Sequence, residues 1–157
     1  EGVEIKKHKD TFKVCVSKEI DQDSVLTSTY HTVQANGVLE KVTIKRNKHY
    51  QRLYYKRMLG TDDVMQSEET YHYATDGKTL LNSEVTYYRK NEIANIRVKT
   101  FDVNGDETKN SIAYYKKGVL YSRYTTNYEY DRDSRPTKCI STSSKDGSQL
   151  IDYYRYN

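Results

Sequence analysis

Proline appears once in these 157 residues and cysteine twice, and the residues that usually fill a core are scarce. Val, Ile, Leu and Phe together number 30, while charged residues make up 31% of the chain. Taken alone, so lean an aliphatic store is the composition of a disordered chain. No apolar run approaches the ~20 residues that a membrane-spanning helix needs. Nothing at the start has the layout of a signal peptide, although a chain opening "EGVEI" fits a processed form whose leader has been removed. His8, His31, His49, His72, Cys15 and Cys139 include no His-x-x-x-His or Cys-x-x-Cys pair, which excludes the common zinc spacings. The nucleophile elbow, the P-loop and the dinucleotide fingerprint are missing as well. With no such spacing to hold a reaction, a metal or a cofactor, the chain reads as a non-enzyme.

Charge of one sign does not dominate either. The net charge is +4, but residues 1–60 carry 12 Lys/Arg against 7 Asp/Glu, residues 61–110 carry 6 against 10, and residues 111–157 carry 8 against 5. This alternation describes a solvated surface and argues against a nucleic-acid tract. If bonded, Cys15 and Cys139 would close a loop of more than a hundred residues, worth up to ~4 to 5 kcal/mol on the chain-entropy model. Two buried free thiols are the plainer expectation, because sequence distance says nothing about whether their Cβ atoms meet.

What the chain does have is tyrosine, 17 residues of it. Each ring brings ~150 to 250 Å² of surface to bury, and it can lie on a sheet with its hydroxyl in water. From residue 24 onward, short runs rich in Val, Ile, Thr and Tyr alternate with turn residues, the pattern of strands with tight connections. Asn36-Gly37, Asp76-Gly77, Asn104-Gly105, Asp133-Ser134 and Asp146-Gly147 are candidates for two-residue type I′ turns, with Asn91-Glu92 and Lys117-Gly118 at the opposite end. The predicted fold is all-β: a single domain over 1–157, an antiparallel up-and-down meander of roughly ten strands built from hairpin repeats, with a strongly twisted or partly rolled sheet. Residues 1–23 form a less regular segment with one strand over 12–16, followed by "SKEIDQDS" as a loop or one helical turn.

Residues 70–92 and 99–118 look like two copies of one hairpin. In the first, Tyr73 is expected to face Leu80; in the second, Asp102 is expected to face Glu107, a like-charge pair. The doublets Tyr54-Tyr55, Tyr87-Tyr88, Tyr114-Tyr115 and Tyr153-Tyr154 each offer one ring to either side of a strand. Asp102, Asn104 and Asp106 match the first ligand positions of a calcium loop, but Glu107 stands at its glycine position and Ala113 at its bidentate glutamate. An ordinary solvated turn is the better account.

The stretch "KRNKHYQRLYYKR", residues 45–57, contains no acid. On a strand from Lys48, one face reads Lys48, Tyr50, Arg52, Tyr54, Lys56 and the other His49, Gln51, Leu53, Tyr55, Arg57. Interleaved cations and rings suit an anionic polymer such as a glycan, or an acidic protein partner. An exposed strand face whose lysines discourage aggregation is the alternative reading.

At 128–135, "YEYDRDSR" carries Tyr130, Asp131 and Arg135 in the order of the Y-x-Y-D-x-x-G-R texture of YD-repeat (Rhs-type) β proteins, with Ser134 in the glycine's place. Across residues 70–157, the Tyr-Tyr doublets and Asx-Gly hairpins resemble small uncharacterised exported β-repeat proteins of gut Bacteroides and relatives. The resemblance implies an all-β meander, a removed leader, and a place in the periplasm, on the cell surface or outside the cell. It brings no catalytic residues. Together these features lead to the expectation of an exported binding module using a Tyr-rich, partly basic face, or a structural β-repeat component of a cell-envelope assembly.

Overall fold

A computed structural model describes residues 5–8 and 11–156, with side chains from Lys13 onward. Twelve strands and no helix are found among the described residues: β1 Ile5–His8, β2 Thr11–Ile20, β3 Leu26–Val33, β4 Leu39–Arg46, β5 Arg52–Leu59, β6 Val64–Tyr73, β7 Leu80–Arg89, β8 Glu92–Phe101, β9 Glu107–Lys116, β10 Val119–Tyr130, β11 Pro136–Ser143 and β12 Gln149–Tyr153. Their hydrogen-bonded order follows the chain from β1 to β12, with β1 and β12 at the ends. This is the antiparallel up-and-down meander that the turn spacing predicts. Two details differ. The "SKEI" of the expected loop continues β2 as far as Ile20, because one extra residue, Val16, bulges out between the Cys15–Tyr30 and Ser17–Thr29 pairs and lets the ladder resume. The N-terminal segment 1–23 also holds β1 in addition to the whole of β2, two strands where one was expected.

The Asx-Gly pairs sit at bends as expected, but not as two-residue loops. Five hairpins share a three-residue loop in which residue i donates its N–H to the carbonyl of i+4, and the N–H of i+3 returns to the carbonyl of i. Position i is Asp21, Gln34, Asn47, Asp102 or Asp131. At i+3 the chain enters the left-handed region, at Ser24, Gly37, Tyr50, Gly105 and Ser134, as a type I turn closed by a bulge requires. Where position i is Asp or Asn, its Oδ1 accepts both the i+2 and the i+4 N–H. This side-chain cap makes the three-residue loop stable. Two-residue loops with positive φ at both positions lie instead at Lys90-Asn91 and Lys117-Gly118, so the first is one residue earlier than expected. The expected clash of Asp102 with Glu107 is absent: Glu107 pairs with Phe101, and Asp102 is folded into its own loop.

The chain divides into two compact units, one comprising residues up to Thr70 with Tyr88–Asn91, the other Tyr71–Tyr87 with Glu92 onward. In the first, Val42 and Ile44 of β4 are buried. Val42 lies between Tyr30 and Arg57 in its cross-strand row, and Ile44 lies between Ser28 and Tyr55. Long side chains on neighbouring strands thus cover the aliphatics laterally. In the second unit the buried residues are small: Ser83, Thr86, Ala113, Ser122, Cys139 and Ser143. Tyr114 is the partner of Ser122, Tyr124 of Ser143, and Tyr128 of Cys139. A ring beside a small residue covers it from one side while staying partly in water, which is how so lean a chain shields its sheet. Two of the four doublets divide between the faces as expected, with Tyr88 and Tyr115 half-buried and Tyr87 and Tyr114 exposed, whereas Tyr54 and Tyr55 are both half-buried and Tyr153 and Tyr154 are both exposed. Both cysteines are free thiols.

Candidate functional site

The five residues singled out in the sequence do not form one strand face. Lys48 and Tyr50 lie in the loop closed by Asn47 and Gln51, and Tyr50, at positive φ, is 75% exposed. Arg52 opens β5, but the ladder slips between the Lys45–Tyr54 and Arg46–Arg52 pairs, leaving Leu53 as the extra residue. The bulge sends the Arg52 guanidinium to the opposite face from Tyr54, 5.0 Å from the Tyr55 ring and 3.5 Å from Glu69. Tyr54 and Lys56 remain together. Lys45 reaches over the Tyr54 ring at 5.9 Å, and Glu68 is the cross-strand partner of Lys56. Glu68 accepts the hydroxyls of both Tyr54 and Tyr88, the latter at 3.0 Å. Burial first, and then the Glu68 carboxylate, push the Tyr54 phenol well above the ordinary range. Its hydroxyl is therefore committed within the protein; of the two lysines, Lys45 is exposed and Lys56 is half-buried.

A second feature lies wholly in the other unit. A concavity of about 380 Å³ is lined by Glu84 of β7, Ile96, Val98 and Thr100 of β8, Lys109, Ser111, Ala113 and Tyr115 of β9, and Arg123 of β10. Its floor follows from the register. One row runs Ile96, Ala113, Arg123, the next pairs Val98 with Ser111, and the third pairs Thr100 with Lys109. Period-two alternation brings every second residue of β8 and β9 to this side, and the small Ser111 and Ala113 leave the hollow between the larger neighbours. Lys109 and Arg123 thus stand at opposite ends of an apolar floor, with Tyr115 and Glu84 at its margin. None of the three charged groups makes an ion pair among the described residues. Ser111 Oγ lies 3.2 Å from Thr125 Oγ1, which fixes its rotamer.

Sequence reasoning missed this hollow because Lys109 and Arg123 are separated along the chain and meet only through the β9–β10 pairing. The alternation Lys109-x-Ser111-x-Ala113-x-Tyr115 was its one readable signal. The residues that carry the YD-like texture have structural tasks. Asp131 caps its loop, Arg135 binds Asp131 and Asp133 at 2.9 Å each, and the Tyr130 hydroxyl donates to the Glu107 carbonyl at 2.8 Å. No group of His, Cys, Asp and Glu arranged to hold a metal ion occurs among the described residues. No family model matches the chain, and no curated protein matches it.

Proposed function

We propose that the chain is an exported, non-enzymatic interaction module that holds an anionic polymer or an acidic partner against its sheet. The observation that carries this reading is the placement of the rings. Tyr50, Tyr87, Tyr114, Tyr121, Tyr124, Tyr153, Tyr154 and Tyr156 are all exposed, together with ten Val, Ile and Leu side chains. Exposed tyrosines give rigid, amphipathic contact area at low entropic cost. Two of them stand next to cations: Lys145 lies 5.6 Å from the Tyr121 ring and Arg135 lies 5.5 Å from the Tyr156 ring. Rings with cations beside them suit polymers that combine negative charge with flat apolar faces. The resemblance to exported β-repeat proteins supports the extracytoplasmic location.

The test is retention of the labelled protein on an array of anionic and neutral polysaccharides. The expected result is binding to at least one anionic polymer that weakens as salt is raised from about 0.05 to about 0.5 M. No retention on any anionic polymer overturns the reading. A structural role within an envelope assembly is the second reading, favoured by β12, whose five residues are all exposed at the end of the strand order. It predicts co-fractionation with an assembly and no polymer binding.

A further inference from the structure

We infer that the concavity on β7 to β10 is the ligand site, and that its ligand is an acidic oligosaccharide of uronate type lying along the strands. This rests on the proposal of an anionic-polymer module and deepens it by naming place and chemistry. Lys109 and Arg123 sit two rows apart. Two rows are four residues of strand, roughly 14 Å of backbone at ~3.4 Å each. A single inorganic anion engages one such cation and leaves the floor unused. A ligand that satisfies both must carry two negative groups separated by a spacer.

The floor defines the spacer. Ile96 and Val98, both half-buried, present aliphatic surface above the buried Ala113, and Tyr115 presents a half-buried ring. These are partners for the C–H face of a pyranose ring. Glu84, Thr100 and Ser111 also line the hollow, and a carboxylate in particular is an acceptor for sugar hydroxyls. That same Glu84 disfavours a polyphosphate, whose charges lie closer together than those of a uronate chain, because like-charge repulsion would oppose binding. The volume, about 380 Å³, falls at the small end of the ~300 to 1,000 Å³ typical of ligand pockets, and suits a few sugar rings rather than a folded partner. A carboxylate at each end, with ring faces between them and hydroxyls toward Glu84, matches a short uronate oligosaccharide engaged through its outer residues.

The experiment titrates tetragalacturonate, a neutral cellotetraose and inorganic phosphate into the full chain by calorimetry, with Lys109→Gln, Arg123→Gln and the double variant in parallel. Both side chains are exposed and free of ion pairs among the described residues, so the variants are expected to keep the wild-type melting temperature. Tetragalacturonate is expected to bind, each single change to weaken it by up to about fivefold and the double change to remove measurable binding. Phosphate and cellotetraose are expected to bind at least about tenfold more weakly. A second variant, Ser111→Leu, fills the hollow without touching its charge and is expected to abolish binding. Equal binding of the neutral tetramer, or undiminished binding by the double variant and by Ser111→Leu, overturns the inference. If the double variant is still retained by an anionic polymer on the array, this site is wrong while the module reading stands. If neither array nor calorimetry shows any anionic ligand, both fall together.

Discussion

Among single residues, Glu68 of β6 ties together the strands on either side of it. Its carboxylate takes two phenol hydroxyls from neighbouring strands. Replacing it with Ala leaves both half-buried hydroxyls without that acceptor, so Glu68→Ala is expected to destabilise the protein by about 1 to 3 kcal/mol. The same change is expected to let the Tyr54 phenol ionise at lower pH, read from phenolate absorbance. An unmoved titration would show that Glu68 does not hold this ring. Phenol burial also sets the alkaline limit. The folded-state pKa of Tyr54 lies above its unfolded value, and those of Tyr55, Tyr128 and Tyr130 are raised as well, burial being the first cause in each. A group raised in this way contributes stability that is complete below its unfolded pKa and is lost as pH rises beyond it. Denaturant midpoints are therefore expected to hold through neutral pH and to decline above about pH 10. A midpoint unchanged at about pH 11.5 would contradict this.

Turns decide the behaviour of the elements. Ser134 occupies a left-handed position, φ 58°, where Gly105 stands in the sister hairpin. Ser134→Gly removes a steric cost and is expected to stabilise by about 0.5 to 1 kcal/mol, checked by chemical denaturation. Asp76 anchors the longer loop between β6 and β7. It accepts the Thr79 hydroxyl and the Lys78 and Thr79 N–H groups, and these bonds hold its carboxyl down at about 2. Asp146 is held at about 2 by Ser148 in the loop before β12. A depressed carboxyl contributes stability that is present above its unfolded pKa and is lost as the pH falls through the folded one. Melting temperature is thus expected to fall between about pH 4 and pH 2, and less steeply in Asp76→Asn. The location of these turns was legible in the Asx-Gly pairs. Their length was not, because in four of the five three-residue loops a capping Asp or Asn stands three residues before the left-handed position, and that contact is local geometry beyond the dipeptide.

At the scale of the whole molecule, the meander was legible because period-two patterning and turn residues agree from Leu26 to Tyr153. The candidate site was legible only in part. The basic stretch at 45–57 is real, but an extra residue at Leu53 reverses Arg52, and one slip of this kind moves a side chain to the other face. Lys109, Ser111, Ala113 and Tyr115 were visible as an alternation, while Arg123 joins them only through pairing that no local pattern encodes. The end strand yields a further test. Tyr154 donates to Thr137 and Ser143 donates to Ser148, so by alternation Leu150 and Asp152 bond inward while Gln149, Ile151 and Tyr153 turn their amides outward. Hydrogen exchange is expected to be fast at 149, 151 and 153 and slow at 150 and 152. Uniform protection along β12 would mean its outer edge is covered in solution.

A ladder bonded only between consecutive rungs has no keystone. Each added hairpin needs a surface to zip onto and nothing more, so a chain of this plan can lengthen or shorten by whole hairpins without redesigning what remains. Its length is then a matter of copy number, adjustable by duplication where a globular core would have to be repacked.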